Sequence, residues 1–476
     1  YLAGRLLGVV TGCLGVVATY ALARRLSDRI AGLSAAALLA VAPFHVRDSH
    51  YVKHDVAATL AIVCAMIAIV WLAERPQQGR RRFIQAAAAA GACGAAVSTH
   101  YYAVFLILPL TLAVLLGPDA LMTRFRLLVV AGLSNAAVFF LLSPFVLLDW
   151  TTAVRDITAN MEIVVDRALD GRAGVFSNAA VYAAMLWRDA IGWPVLVLAA
   201  AGAATMVVFS WRRALVLLAF PVAFLLFISN TVPATRYLTP VLPVMAVLAG
   251  TSVSVLARFA GRRRTAAAAV LTGLAAFPGL SASVTDGLFF RQTDTRTLAL
   301  QYIEQHVPAG SSIALQPYSV PLIQSRESLR ESLRSTLGDE RRASTKFALR
   351  LALDPYPQPA YRLIFIGDGG LDADKIYVSA RVFDVERGIG PLRWAGVAYV
   401  VMKRYNTVDP GSLPLFKALA NEADLLASIS PYRAGATPGE IAAAKPFLHN
   451  ADARVADVLE RPGPVVDIWR LRVSAR

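Results

Sequence analysis

Charge and cysteine are what this chain has least of. Of its 476 residues only 17% are Asp, Glu, Lys or Arg, and three are Cys. An ordinary soluble domain carries about 25% charged and about 45–50% apolar residues. Here the apolar share is 57% and the mean hydropathy +0.54. That balance excludes an ordinary soluble globular chain. Cys13, Cys64 and Cys93 all fall inside apolar runs, so the polar part of the chain holds no disulfide framework. No Gly-x-Ser-x-Gly elbow occurs, which argues against a serine hydrolase. Internal repeats are absent, and the only compositional bias is alanine in the apolar runs.

Those apolar runs recur through the first 282 residues, each close to the roughly 20 residues needed to cross a bilayer. They predict a polytopic α-helical membrane protein of about ten spans, near 5–23, 30–44, 55–73, 84–99, 101–117, 127–148, 192–210, 214–229, 238–257 and 265–282. Residues 1–282 carry 23 Lys and Arg, and 15 of them fall in alternate loops, in clusters such as Arg80–Arg82 and Arg262–Arg264. Cytoplasmic loops collect Lys and Arg, so these loops are expected to face the cytoplasm. The net charge of +15 is then mostly topology, and it calls for no nucleic-acid partner. The opposite loops, and everything after residue 282, are expected outside.

Residues 283–476 lose the long apolar runs and predict an extracytoplasmic α/β domain. "DTRTLALQYIEQHVPAGSSIALQPY" reads as a helix, a Pro-Ala-Gly turn and a strand, and "YRLIFIGDGG", "VAYVVMKRY" and "PGPVVDIWRLR" read as further strands. "SLPLFKALANEADLLASI" reads as helical throughout. Within 1–282 the longest outer loop, 149–190, carries "DWTTAVRDITANMEIVVDRAL", an amphipathic stretch suited to lie at the membrane interface or to pack on the bundle.

The outer mouth of the bundle collects the polar side chains. Segment 45–55 brings His45, Arg47, Asp48, His50, Lys53, His54 and Asp55; segment 98–102 brings His100, Tyr101 and Tyr102; segment 229–237 brings Arg236 and Tyr237. Four of the six histidines lie in the first two segments. Ionisable groups at membrane depth are costly and mark function by default, although any one of them taken singly could be a loop side chain reaching the interface. Lys53, Arg47 and Arg236 suit a phosphate or pyrophosphate. Asp55 or Asp48 suits sugar hydroxyls, a catalytic group or a basic neighbour, and the tyrosines suit a sugar face or a lipid's first isoprene units. His50 and His54, at i and i+4 with Asp55 adjacent, leave a divalent metal open as an alternative, but without a defined third ligand no metal or cofactor is expected.

With these residues set out, the chain resembles bacterial glycosyltransferases of the GT-C superfamily, in the branch of protein mannosyltransferases and the lipid A aminoarabinose transferase. Ser49-His50-Tyr51-Val52-Lys53-His54-Asp55 matches the Ser-Arg-aromatic-x-x-x-Asp pattern that opens a span there, with His50 in place of Arg. "RYLTPVLPVMAVLAG" resembles the Arg-Tyr-x-x-Pro-x-x-Pro start of a late span. "SPFVLLDW" resembles the step into the large outer loop, and "DTRTLALQYIEQHVPAG" and "LERPGPVVDIWRL" resemble the two ends of the outer domain.

The resemblance implies transfer of a sugar from a polyprenyl-phosphate carrier to a lipid, glycan or protein acceptor on the outer side of the cytoplasmic membrane. Asp55 would be the supporting acid, and Lys53, His50, His54, His100, Tyr101, Arg236 and Tyr237 would bind substrate. The family's principal base lies in a first outer loop. Because this chain enters a span almost at Tyr1, that loop is expected to be missing from it. The alternative is a transporter or lipid flippase, against which stand the lack of charge at span centres and of an evident inverted repeat.

Overall fold

The computed structural model describes residues 2–161, 176–338, 345–366, 388–405, 413–449 and 451–472. The chain divides into two compact units: Tyr1–Gly287 with His449–Ala453, and Leu288–Leu448 with Arg454–Arg476. The division at Gly287 lies inside the last long helix, Arg264–Phe290. The return of five C-terminal residues, His449–Ala453, to the first unit has no counterpart in the sequence reading.

The first unit is helical. Its elements are α1 (Leu2–Leu26), α2 (Arg29–Ala40), α3 (Pro43–Ser49), α4 (Asp55–Glu74), α5 (Arg80–Thr99), α6 (Ile107–Leu115), α7 (Leu121–Leu142), α8 (Phe145–Leu148), α9 (Trp150–Met161), α10 (Ala179–Met185), α11 (Trp193–Ile228), α12 (Leu242–Arg258) and α13 (Arg264–Phe290). Among the described residues, five helical stretches are long and apolar enough to cross a membrane, those of α1, α4, α7, α11 and α13, or six if the bent pair α2 and α3 is one span. That is fewer than the ten expected, and the differences are local. The expected span 30–44 ends at Ala40, and the chain turns by 63° into α3. Pro43 stands at the start of α3 and disfavours helical backbone at the residue before it; Ala42 has ψ 120°. The expected spans 192–210 and 214–229 both lie in α11, which is interrupted at Ser210 (φ −154°, ψ 49°) just ahead of Arg212 and Arg213. Span 101–117 opens as a tight 3₁₀ run, Tyr101–Leu106, before α6.

Large apolar side chains stay exposed along these helices, among them Leu7, Leu133, Phe209 and Leu274. Such a surface suits lipid. The buried core is built where helices approach closely on small residues. Gly94 of α5 faces the Asn135 carbonyl of α7, and Gly250 of α12 faces the Ala31 carbonyl of α2. On α1, Gly8 lies under the Ser49 carbonyl, where an added Cβ would come within 2.7 Å, and Gly12 lies under the Ser49 hydroxyl. These two glycines seat the end of α3. A helix is present in that loop as Trp150–Met161, and residues 162–175 of it lie outside the described residues.

The second unit is an α/β layer structure. Its sheet has the order β2-β1-β3-β5-β4, with β1 Ser312–Leu315, β2 Arg362–Phe365, β3 Tyr399–Arg404, β4 Ala423–Ile429 and β5 Val465–Leu471. β2, β1 and β3 are parallel; β3, β5 and β4 are antiparallel. Alternation puts Ile313, Leu315, Leu363, Phe365 and Val401 on one face, against Ala299 and Ile303 of the helix Thr295–His306. Ala314, Ile364, Val400 and Met402 form the other face, against Leu415 and Leu419 of the helix Leu413–Glu422. Four strand readings hold. "SLPLFKALANEADLLASI" does not stay helical, because after Glu422 it becomes β4 and pairs with β5. Across these strands Asp467, buried on β5, accepts from Arg404 Nε at 2.6 Å and from the Ser428 hydroxyl at 2.6 Å.

The seating of α3 on α1 gives a direct test. Gly8→Leu should overpack that contact and destabilise the bundle by roughly 1–3 kcal/mol, seen as a lower melting temperature in detergent. A Gly132→Leu control, at a position with no neighbour within 4 Å, should melt as the unmodified protein does.

Candidate functional site

The short helix α3 turns three polar residues inward. His45 Nε2 lies 3.3 Å from the Gly12 carbonyl. Arg47 packs its guanidinium 4.5 Å over the Phe44 ring and donates from Nη1 to the carbonyls of Asp452 (3.3 Å) and Ala453 (3.2 Å). Asp48 Oδ2 accepts a 2.6 Å hydrogen bond from the Thr239 hydroxyl, and Arg47 Nε stands 4.0 Å from Asp48 Oδ1. Asp48 is therefore held by protein groups.

Asp55 is different. It is the first residue of α4 and only 1% exposed, and among the described residues nothing donates a hydrogen bond to either carboxylate oxygen. An acid in the first turn of a helix is favoured by the helix dipole, and the cations Lys53 and Arg236 lie within electrostatic reach of it. A ring nitrogen of His54, an oxygen of Asp55 and a ring nitrogen of His100 lie within 4.8 Å of one another. The His100 ring is sandwiched among aromatics, 3.7 Å from Tyr102, 4.5 Å from Tyr101 and 4.7 Å from His54. Its Nδ1 accepts from the Tyr102 N–H at 3.3 Å. Arg236 sits in a 3₁₀ turn, Thr235–Leu238, 5.3 Å over the Tyr237 ring.

The expected residues Lys53, His54, Asp55, His100, Tyr101, Arg236 and Tyr237 thus come from three sequence-distant segments into one electrostatically coupled group. His50 does not join it. It is exposed at the end of α3 and its Nδ1 is engaged with the Val46 carbonyl at 2.8 Å. Because α3 stops at Ser49, His50 and His54 never share a helical face, and the i, i+4 metal pair is not formed.

His449 is the residue that sequence reasoning missed. It stacks on Tyr51 at 3.5 Å, accepts from the Thr235 hydroxyl through its carbonyl at 3.2 Å, and approaches Asp48 to 3.9 Å. Burial, then the cations Lys53, Arg47 and Arg236, push its imidazole down to about 3. At neutral pH it is uncharged, so the Asp48 approach is no ion pair. The only signal in the sequence was its rarity, as one of two histidines after residue 282.

Residues 1–159 match the family model described as dolichyl-phosphate-mannose-protein mannosyltransferase. Among solved structures, ArnT from Cupriavidus metallidurans bound to undecaprenyl phosphate superposes with a TM-score of 0.58 at 16% identity, covering 99% of this chain and 84% of that one. The chain has the ArnT fold. The apo ArnT structure agrees, with a TM-score of 0.51 at 14% identity over 98% of this chain and 83% of that one. No curated protein gives a match. The family model covers the Ser49–Asp55 motif and not Arg236–Tyr237, and the likeness to ArnT is one of fold. At these identities it is the architecture that is shared.

Burial, and next the positive charge of Arg236, lower the Lys53 ammonium from its ordinary value of 10.5. The protonated form carries the attraction for an anion, so that attraction disappears as pH rises through the lowered value. Titration of inorganic pyrophosphate against the purified protein should therefore weaken at a pH below 10.5, and Lys53→Arg should abolish this loss.

Proposed function

We propose that this protein is an integral membrane glycosyltransferase that moves a sugar from a polyprenyl-phosphate donor to an acceptor on the outer side of the cytoplasmic membrane. The observation that carries the reading is the convergence of Lys53, Asp55, His100 and Arg236 within a bundle of ArnT fold. Two cations beside a desolvated carboxylate suit a donor that joins a phosphate to a sugar. Lys53 and Arg236 hold the phosphate oxygens and take up the charge that grows as the carrier phosphate leaves. Asp55 accepts from a sugar or acceptor hydroxyl and orients it. His100, Tyr101 and Tyr237 give flat surfaces for the sugar ring or the first isoprene units. The ArnT structure contains undecaprenyl phosphate, and a lipid of that class is the carrier proposed here. The acceptor is a lipid, glycan or protein.

Transfer assays on membranes containing the full-length protein, with a polyprenyl-phosphate sugar as donor, test this. Asp55→Asn should lower transfer at least tenfold, and Arg236→Ala should raise the apparent KM for donor at least tenfold. Transfer at the unmodified rate by both variants, with normal expression, rejects these roles.

In this reading the outer mouth and residues 288–448 and 454–476 face away from the cytoplasm, as the arginine-poor loops imply. Cysteine is confined to positions 13, 64 and 93, so a background with all three replaced by Ser allows single-site labelling. Gln301→Cys in that background should react with a membrane-impermeant maleimide in intact spheroplasts. Protection until the cells are lysed would overturn the orientation.

A further inference from the structure

In the second unit the parallel strands run β2-β1-β3, and the chain leaves β1 toward β2 on one side but leaves β3 toward β4 on the other. In open α/β sheets such a reversal opens a crevice at the carboxyl ends of the two strands, and ligands bind there. After β1, residues Gln316–Ser319 make a turn closed by the Ser319 N–H donating to the Gln316 carbonyl at 3.1 Å. Pro317 at its second position and φ 64° at Tyr318 make it a type II turn, whose third position suits glycine. A tyrosine there is strained, and strain of this kind gathers at ligand sites. Its side chain stays exposed. Lys403, near the end of β3, stands with Nζ 5.3 Å from the centre of that ring and donates to the Pro317 carbonyl at 2.6 Å. Among the described residues no carboxylate pairs with it.

A second wall comes from the helix Thr295–His306. By alternation Lys403 shares the sheet face of Val401, which that helix covers. Thr295 pins the start of the helix to the entry of β5, its N–H donating to the Pro462 carbonyl at 2.9 Å and its hydroxyl to the Pro464 carbonyl at 2.7 Å. Val465 pairs with Arg404, so Asp294 and Arg296 are set beside the end of β3. Asp294 already caps the helix and takes Arg296 Nε at 2.9 Å and Nη2 at 2.6 Å. The helix terminus is therefore occupied, and Lys403 is the cation left for an anion. Burial, and next the positive charge of Arg296, lower its ammonium from the ordinary value of 10.5, so an arriving anion would balance the charge there. An ammonium has three donors, and Pro317 takes one. An exposed aromatic ring beside this ammonium suits a ligand with a flat apolar face and one anionic substituent. A bare anion would make no use of Tyr318, and a neutral sugar none of Lys403. We propose that Tyr318, Lys403 and the Asp294–Arg296 pair form a binding site for a sugar that carries a carboxylate or phosphate group, with its ring on Tyr318, its anion on Lys403 and its hydroxyls toward the Asp294–Arg296 pair.

The test uses the purified full chain in detergent, titrated by calorimetry with glucuronate and, separately, with glucose 6-phosphate, against glucose and inorganic phosphate as comparisons. At least one of the two acidic sugars should bind once per chain, at least tenfold more tightly than glucose and than inorganic phosphate. Which of the two does so tells the carboxylate from the phosphate. Lys403→Gln should weaken that binding at least tenfold. Tyr318→Gly should weaken it at least threefold while the melting temperature stays the same or rises, because glycine suits the turn; a tyrosine serving the fold alone would not separate these two readouts. Binding of neither acidic sugar above the level of glucose overturns the proposal, and so does binding that both variants leave intact. Binding lost in Arg236→Ala but kept in Lys403→Gln belongs to the first unit and overturns it as well. Transfer is not measured in these titrations, so the transferase reading and this one fail separately.

Discussion

A carboxylate enclosed where an apolar helix begins has little water to solvate it, so surrounding charge and dipole must take water's place. Much of this end of the bundle is arranged around that constraint. Asp48 receives the Thr239 hydroxyl and a nearby guanidinium. Asp55 receives the dipole of its own helix and two cations from loops far apart in sequence. Bringing those loops together needs the bend before Pro43, the glycine seat on α1 and the 3₁₀ turn at Thr235–Leu238. Each is a small departure from regular helix, and all act on the same few ångströms.

The two carboxylates also differ in their availability. They lie seven positions apart and both are buried, yet one is engaged by the protein and the other is not. A substrate entering the cluster would therefore meet Asp55 without breaking an existing bond to it. The neutral His449 and the aromatic stack around His100 add desolvated walls on either side, and a low local dielectric makes the remaining charges act more strongly.

Much of this could be read from the residues. Asp55 at the head of a twenty-residue apolar helix, Arg236-Tyr237 ahead of Pro240 and Pro243, and the strand alternation around Val400 are local signals, and local structure follows them. The losses have physical causes. β4 carries Ala, Leu and Asp, which read on from the preceding helix, and only its ladder with β5 makes it a strand. The ends of α3 depend on one proline and on packing against α1, so the spacing of His50 and His54 said nothing reliable about their facing. His449 lies hundreds of residues from its partners, and neither periodicity nor charge pattern marks it.

The short segment His449–Ala453 belongs to the bundle while the residues on both sides of it belong to the other unit. The second unit is consequently not a contiguous piece of polypeptide. A fragment cut at Leu288 carries those five residues away with it, leaving the Arg47 guanidinium without the two carbonyls it donates to. Dissection into independent halves would require supplying the peptide back in trans or grafting it onto the bundle. Synthesis of the bundle alone leaves it waiting for its last piece until nearly the whole chain has been made.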